Sequence, residues 1–189
     1  EPNRLNFAPR FNVAVTFIDR HLVEGRGDKV AIRTIDEEWS YKALSESVNQ
    51  YGNYLLSLGI KPGERLMMVV RDCPDFIAMF FGAIKAGIIP APVNTLLRSE
   101  DYSYLITDSE CAGFFYSAQF AETLTPALEA SLHKPGHVVV AEDLAGQVKT
   151  ASGVLEAAAT NQMDDCFWLY SSGSTGNPKG VVHPHRSMV

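Results

Sequence analysis

Apolar and polar positions along the chain follow two alternating rhythms. One is helical. Leu44, Val48, Tyr51 and Leu55 recur at three- and four-residue spacing behind Ser40, a capping residue, and Gly59 provides a stop. The same reading predicts helices over 13–22 behind Asn12, over 75–86 up to Gly87, and from a Ser99 cap to Thr107, with Glu100 and Asp101 favouring the N-terminus. Further helices are expected over 118–131 and 153–160, with 144–152 the loosest stretch. The other rhythm is a set of short, near-continuous apolar runs: RLMMVV at 65–70, IIPAPV at 88–93, GFFYS at 113–117, HVVV at 137–140 and CFWLY at 166–170. Residues 29–34 and 38–41 read as a hairpin around Ile35-Asp36-Glu37. Apolar strands alternating with helices predict an α/β fold: a mostly parallel sheet flanked by helices on both faces.

Composition adds limits. A chain of 189 residues, 46% hydrophobic and 20% charged, can bury a sizeable core and is not compositionally disordered. The longest apolar stretch, 76–93, is interrupted by Gly82, Lys85, Gly87, Pro90 and Pro92, so no membrane span is expected. The first residues, EPNR, have no secretion-signal pattern, and a cytoplasmic protein is expected; with no initiator Met, a natural start upstream is also expected. A net charge of −6 argues against nucleic acid as a partner. That charge is uneven. Asp165 is the last acid, so 166–189 carries +2 and the rest −8. The three cysteines, Cys73, Cys111 and Cys166, are scattered and read as reduced apolar residues with no nucleophilic role.

Directly after CFWLY comes YSSGSTGNPKG, residues 170–180. Its glycines let backbone N–H groups turn in on an anion, its hydroxyls donate, and Lys179 adds a mobile positive charge. It is not a Walker loop, because Pro178 precedes Lys179 and Gly180 follows. Nor is it GxGxxG, because Gly173 and Gly176 are three apart. Composition alone leaves a solvated linker and a phosphate grip equally open. His183 and His185 form an HxH pair without further ligands nearby. A role in positioning the segment after the loop is therefore favoured over a metal site.

The ordered run Ser171-Ser172-Gly173-Ser174-Thr175-Gly176-Asn177-Pro178-Lys179-Gly180 resembles the phosphate-binding signature of the AMP-forming acyl-CoA synthetases, the adenylate-forming superfamily, and matches it at every position. WSYKAL and GIKPGERLMMVVRDCPDFIAMFFGAIKAGIIPAPVN resemble earlier segments of that family. NTLL at 94–97 followed by DYSYL at 101–105 looks most like benzoate and hydroxybenzoate ligases. The resemblance implies a partial N-terminal adenylation domain over 1–189, with a strand and the phosphate loop in 164–189 and the C-terminal domain absent.

It also implies an acid–thiol ligase that uses ATP, Mg2+ and coenzyme A on a small carboxylic acid, expected to be aromatic. Lys179 and Thr175 would be catalytic, and Ser171, Ser172, Gly173, Ser174, Thr175, Gly176, Lys179 and Gly180 would bind the nucleotide, with no metal site on the chain. The family's later segments do not occur in these residues, so the chain alone is expected to be inactive, and its uncovered surface to favour self-association. A fatty-acyl synthetase, an amino-acid adenylation domain and a non-catalytic binding module remain open alternatives.

Overall fold

The computed structural model describes residues 7–171 and 176–189. At its centre four short parallel strands lie in the order β4-β3-β5-β6. They are β3 (Arg65–Val69), β4 (Ile89–Pro92), β5 (Gly113–Tyr116) and β6 (His137–Val140). Met67 of β3 stands opposite Ala91 of β4 and Phe114 of β5. Because side chains alternate along a strand, β3 and β5 feed two separate cores. Leu66, Met68 and Phe115 face one, with Leu44, Val48, Tyr51, Leu55, Ala78 and Met79 from α2 (Tyr41–Ser57) and α3 (Pro74–Lys85). Met67, Val69 and Phe114 face the other, with Tyr102, Leu105, Ile106, Leu124 and Ala127 from α4 (Ser99–Ser109) and α5 (Ala121–Ala130). Each of these strand side chains is fully buried, at about 1.5–3 kcal/mol apiece. The expected two-sided α/β sheet is present.

Two antiparallel hairpins complete the fold. β1 (Val30–Arg33) pairs with β2 (Glu38–Ser40), and Ser40 Oγ then accepts the Ala43 N–H at 3.2 Å, the expected cap of α2. The second hairpin joins β7 (Asp165–Ser171) to β8 (Lys179–Pro184). CFWLY is therefore a strand, as expected, but it pairs with the residues after the loop and not within the parallel sheet.

Several expectations are corrected. The helix expected over 13–22 does begin at Val13, but it winds through a π turn (Val15–Asp19) before α1 (Arg20–Val23). Asn12 Oδ1 still accepts the Ala14 N–H, but Asn12 Nδ2 is committed to the Ile84 carbonyl. Arg98, not Ser99, caps α4, and the Asp101 carboxylate accepts its N–H at 3.2 Å. A 3-10 turn (Ala118–Phe120) precedes α5. The stretch expected to be loosest contains a short helix, α6 (Ala145–Thr150).

Residues 153–160 are not helical. They form an extended strap whose polar groups are taken by α2 and α3. Asn49 Nδ2 donates to the Gly153 carbonyl, Asn53 Nδ2 donates to those of Ser152 and Val154, and the Ala158 N–H reaches the Lys85 carbonyl.

Two devices hold the α2–α3 layer. The helices meet at Gly52 and Gly82, where a Cβ on Gly82 would lie 2.7 Å from the Val48 carbonyl oxygen and 2.9 Å from the Gly52 nitrogen. Beside that contact Lys85, 3% exposed, donates to Asp19 Oδ1 at 2.8 Å and to Asn49 Oδ1 at 2.7 Å. An ammonium is tolerated in this position because it is both paired and hydrogen-bonded.

A third core joins Val13, Ala14 and Ile84 to Cys166 of the hairpin. Buried His185 closes it: its ring Nδ1 accepts the Val13 N–H at 3.1 Å, and its backbone N–H donates to the Asp164 carbonyl.

Two outcomes are expected. Gly82→Ala inserts a methyl between two backbones that cannot yield, and should destabilise the protein by roughly 1–3 kcal/mol in urea unfolding. Burial lowers the His185 pKa despite the opposing pull of Asp164. The neutral ring is thus favoured in the fold, while the unfolded chain takes up a proton near pH 6.5. Its contribution is therefore present above pH 6.5 and is lost as pH falls from there through the folded value. Urea midpoints at pH 7.5 and 5.5 should differ less in His185→Asn than in the parent.

Candidate functional site

The loop of interest leaves β7 at Ser171 and enters β8 at Lys179, and these two residues face each other in the hairpin. Its two ends are therefore fixed by one stem. Ser172, Gly173, Ser174 and Thr175 lie outside the described residues. Of the remaining sequence-predicted positions, Ser171, Gly176, Lys179 and Gly180 are all exposed. Gly176 sits at φ 111°, a conformation that L side chains rarely adopt. Gly180 has no such constraint. A Cβ there would make ordinary contacts, 3.4 Å from the Tyr170 ring and 3.5 Å from that of Trp168.

Alternation along the stem sorts the site into two faces. Trp168 and Tyr170, with their partners Val182 and Gly180, look one way, toward α4; Phe167, Leu169 and Ser171, with His183, Val181 and Lys179, look the other. On the α4 side Tyr170 Oη donates to Asp108 Oδ2 at 2.8 Å. Burial, then the hydrogen bond and charge of Asp108, hold the Tyr170 pKa well above its ordinary value, so the phenol remains a donor. Trp168 lies under the Arg65 guanidinium, 5.4 Å from the ring centroid. Arg65 in turn donates through Nε to the Ser109 carbonyl at 2.7 Å and through a terminal nitrogen to that of Glu110 at 3.3 Å. These are carbonyls at the end of α4, where a cation suits the helix dipole.

On the other face His183 stacks on Phe167, ring centroids 4.6 Å apart and interplanar angle 1°. His185 has its Nδ1 engaged in the third core, so it supports the segment after the loop. Among the described residues no group of three His, Cys, Asp or Glu side chains could hold a metal. The cysteines are free. Burial pushes the Cys111 thiol up to about 11 and the Cys166 thiol up to about 12, which leaves neither reactive at neutral pH. No helix among the described residues is long and apolar enough to cross a membrane.

The carboxyl edge of the parallel sheet, where ligands of such sheets commonly bind, carries its own small cavity of about 100 Å3 near Arg71, Cys73, Ser117 and Glu142. Its polar groups serve one another. The Arg71 N–H goes to Ser117 Oγ, and the Ala118 N–H goes to Glu142 Oε2. The glycine-serine loop belongs to the β7–β8 hairpin instead, which corrects the expectation that it follows a strand of that sheet.

Sequence reasoning missed Asp108 and Arg65. The signal that could have suggested such partners is the pair of aromatics at alternate positions 168 and 170, which look to one face of the strand.

Comparison with known proteins bears on these residues as a set. The chain is 39% identical over 194 aligned residues to a benzoate–CoA ligase of Thauera aromatica, a match that takes in 100% of this chain and 37% of that protein. It is 37% identical to a 4-hydroxybenzoate–CoA/benzoate–CoA ligase of Rhodopseudomonas palustris, covering 94% of this chain and 34% of the relative. It thus spans about a third of the length of these curated relatives. Among solved structures, an anthranilate CoA ligase in complex with anthranoyl-AMP superposes with a TM-score of 0.87 at 28% identity, over 95% of this chain and 36% of that one. The family model described as AMP-binding enzyme matches residues 19–189, which include the loop and both strands of its hairpin, and the chain therefore belongs to the AMP-binding enzyme family.

Proposed function

We propose that the protein carrying this chain is an AMP-forming carboxylic acid–CoA ligase acting on an aromatic acid of the benzoate class. The observation that carries this reading is the hairpin. A ten-residue run with every position of a phosphate-binding signature is clamped at its ends by the Ser171–Lys179 pair, in a segment free of carboxylates after Asp165. The aromatic preference is supported by the relatives, which are named for benzoate and hydroxybenzoate. Residues 1–189 would be the front part of an adenylation domain, insufficient for turnover by themselves.

The reaction has two steps. A carboxylate oxygen attacks the α-phosphorus of ATP and the bond to the pyrophosphate oxygen breaks, leaving acyl-AMP. The sulfur of coenzyme A then attacks the acyl carbon and AMP departs. Charge grows on the pyrophosphate oxygens during the first step, so donors aimed at them lower the barrier, each by about 2.7–4 kcal/mol when well placed. Ser172, Ser174, Thr175 and the N–H groups of Gly173 and Gly176 would be those donors. Exposed Lys179 would supply a point charge, and Ser171 and Gly180 the flanks of the loop. Mg2+ would enter on the nucleotide, and no step is assigned to a metal held by this chain.

In the full-length gene product, ATP-dependent pyrophosphate release is expected with benzoate and hydroxybenzoates, and at least a hundredfold less in Lys179→Ala. Release only with aliphatic or amino acids would keep the reaction and overturn the aromatic assignment; no release with any acid would overturn both. The 189-residue chain alone should give none. Backbone conformation yields a separate contrast in Mg-ATP binding. Gly176→Ala should weaken the dissociation constant roughly tenfold, since φ 111° costs any other residue on the order of 1–3 kcal/mol. Gly180→Ala should leave it within about twofold, its Cβ fitting without displacement.

A further inference from the structure

We propose that Asp108 is a positioning residue for the phosphate-binding hairpin, acting through Tyr170. The inference rests on the reading of the loop given above.

Asp108 stands in the last turn of α4, which ends at Ser109. A carboxylate there opposes the helix dipole and gains nothing from the helix itself. Its position makes sense through what it touches: Oδ2 accepts from Tyr170 Oη at 2.8 Å, and Oδ1 accepts a longer bond from Tyr104 at 3.4 Å. Tyr170 is 62 residues away in sequence and is the last residue before Ser171, where the loop begins. Across the stem it faces Gly180, the neighbour of Lys179. One hydrogen bond thus reaches both ends of the loop.

β7 lies along β4 and Tyr170 packs at the edge of the second core, but the polar ties of that end are few. The far end is locked by Cys166 and His185 in the third core. Toward the loop, Val181 and Val182 of β8 are both more than 40% exposed. The ties on the α4 side are the Tyr170–Asp108 bond and the contact of Trp168 with Arg65. The α4 end of the tie is firm, because Tyr102, Leu105 and Ile106 are fully buried against the sheet. Asp108 therefore sets the tilt of the stem relative to the sheet, and with it the direction in which Lys179 is presented. It does so from the face opposite Lys179, so its negative charge fixes the stem without pairing with the lysine.

The test uses the full-length gene product and calorimetric binding of Mg-ATP, which needs no knowledge of the acid. Tyr170→Phe and Asp108→Ala should each weaken the dissociation constant roughly tenfold, the scale of a lost hydrogen bond to a charged group. The double variant should be no weaker than either single one, because both remove the same bond. Asp108→Asn keeps an acceptor and the shape of the site, and should recover most of the affinity. Tyr170→Phe, which removes the same bond from the other side, remains informative if Asp108→Ala fails to fold.

Unchanged affinity in Tyr170→Phe and Asp108→Ala, or additive losses in the double variant, would overturn the proposal. So would losses that only track a fall in Tm. Lys179→Ala separates the two layers. If it binds Mg-ATP as the parent does, the phosphate-loop reading fails and this proposal with it. If it is weakened while the Tyr170 and Asp108 variants are not, only the positioning role is lost.

Discussion

A parallel sheet has no face to spare for water, and that constraint organises the whole molecule. In β3 the side chains of Leu66, Met67, Met68 and Val69 are all fully buried, yet they serve two different cores by simple alternation. Each face then needs its own helical cover. The α2–α3 pair takes one and the α4–α5 pair the other. A slip of one residue in register would send Met67 to the wrong helices, so the two cores specify the register jointly.

Covering a sheet with two helices also requires that the helices fit beside each other. On the α2–α3 side this is solved by removing side chains: Gly52 and Gly82 bring backbone against backbone. The space beside them is then closed by a polar device, with Lys85 bridging Asp19 and Asn49 while Asn49 reaches on to the Gly153 carbonyl. Burying an ammonium is costly unless every partner is present. The network therefore works as a condition: the N-terminal helical turn, α2, α3 and the 152–160 strap must all arrive together for Lys85 to be satisfied.

That same strap marks where sequence reading stops. The helix after Ser40 was legible because its cap, apolar spacing and stop agree within one segment. Residues 153–160 also look helical by local composition, but their conformation is decided by Asn49, Asn53 and the Lys85 carbonyl, all far earlier in the chain. Tertiary partners outweigh a propensity of a few tenths of a kcal/mol per residue. The candidate site divides in the same way. Gly176 and Lys179 were legible because the loop's chemistry is contiguous. β8 was not, since KGVVHP becomes a strand only through its pairing with β7. Asp108 was not, since nothing near it in sequence announces Tyr170 as its partner.

Distance in sequence also explains how the hairpin can be both anchored and chemically clean. On the proposed reading, a loop that holds a polyanion gains from having no carboxylates beside it, and the segment after Asp165 has none. Packing of β7 along β4 places the stem, and a polar tie adds direction that apolar contact does not. Placing the anchoring carboxylate on α4, across the stem from Lys179, meets both needs. Tyr170 carries the tie as a neutral phenol, its proton held in place by burial and by Asp108. The aromatic ring between them keeps the negative charge on the sheet side while Lys179 faces outward. The electrostatics of the loop are thus set by which side of a two-stranded ribbon each charge occupies, and that side follows from the parity of positions along β7.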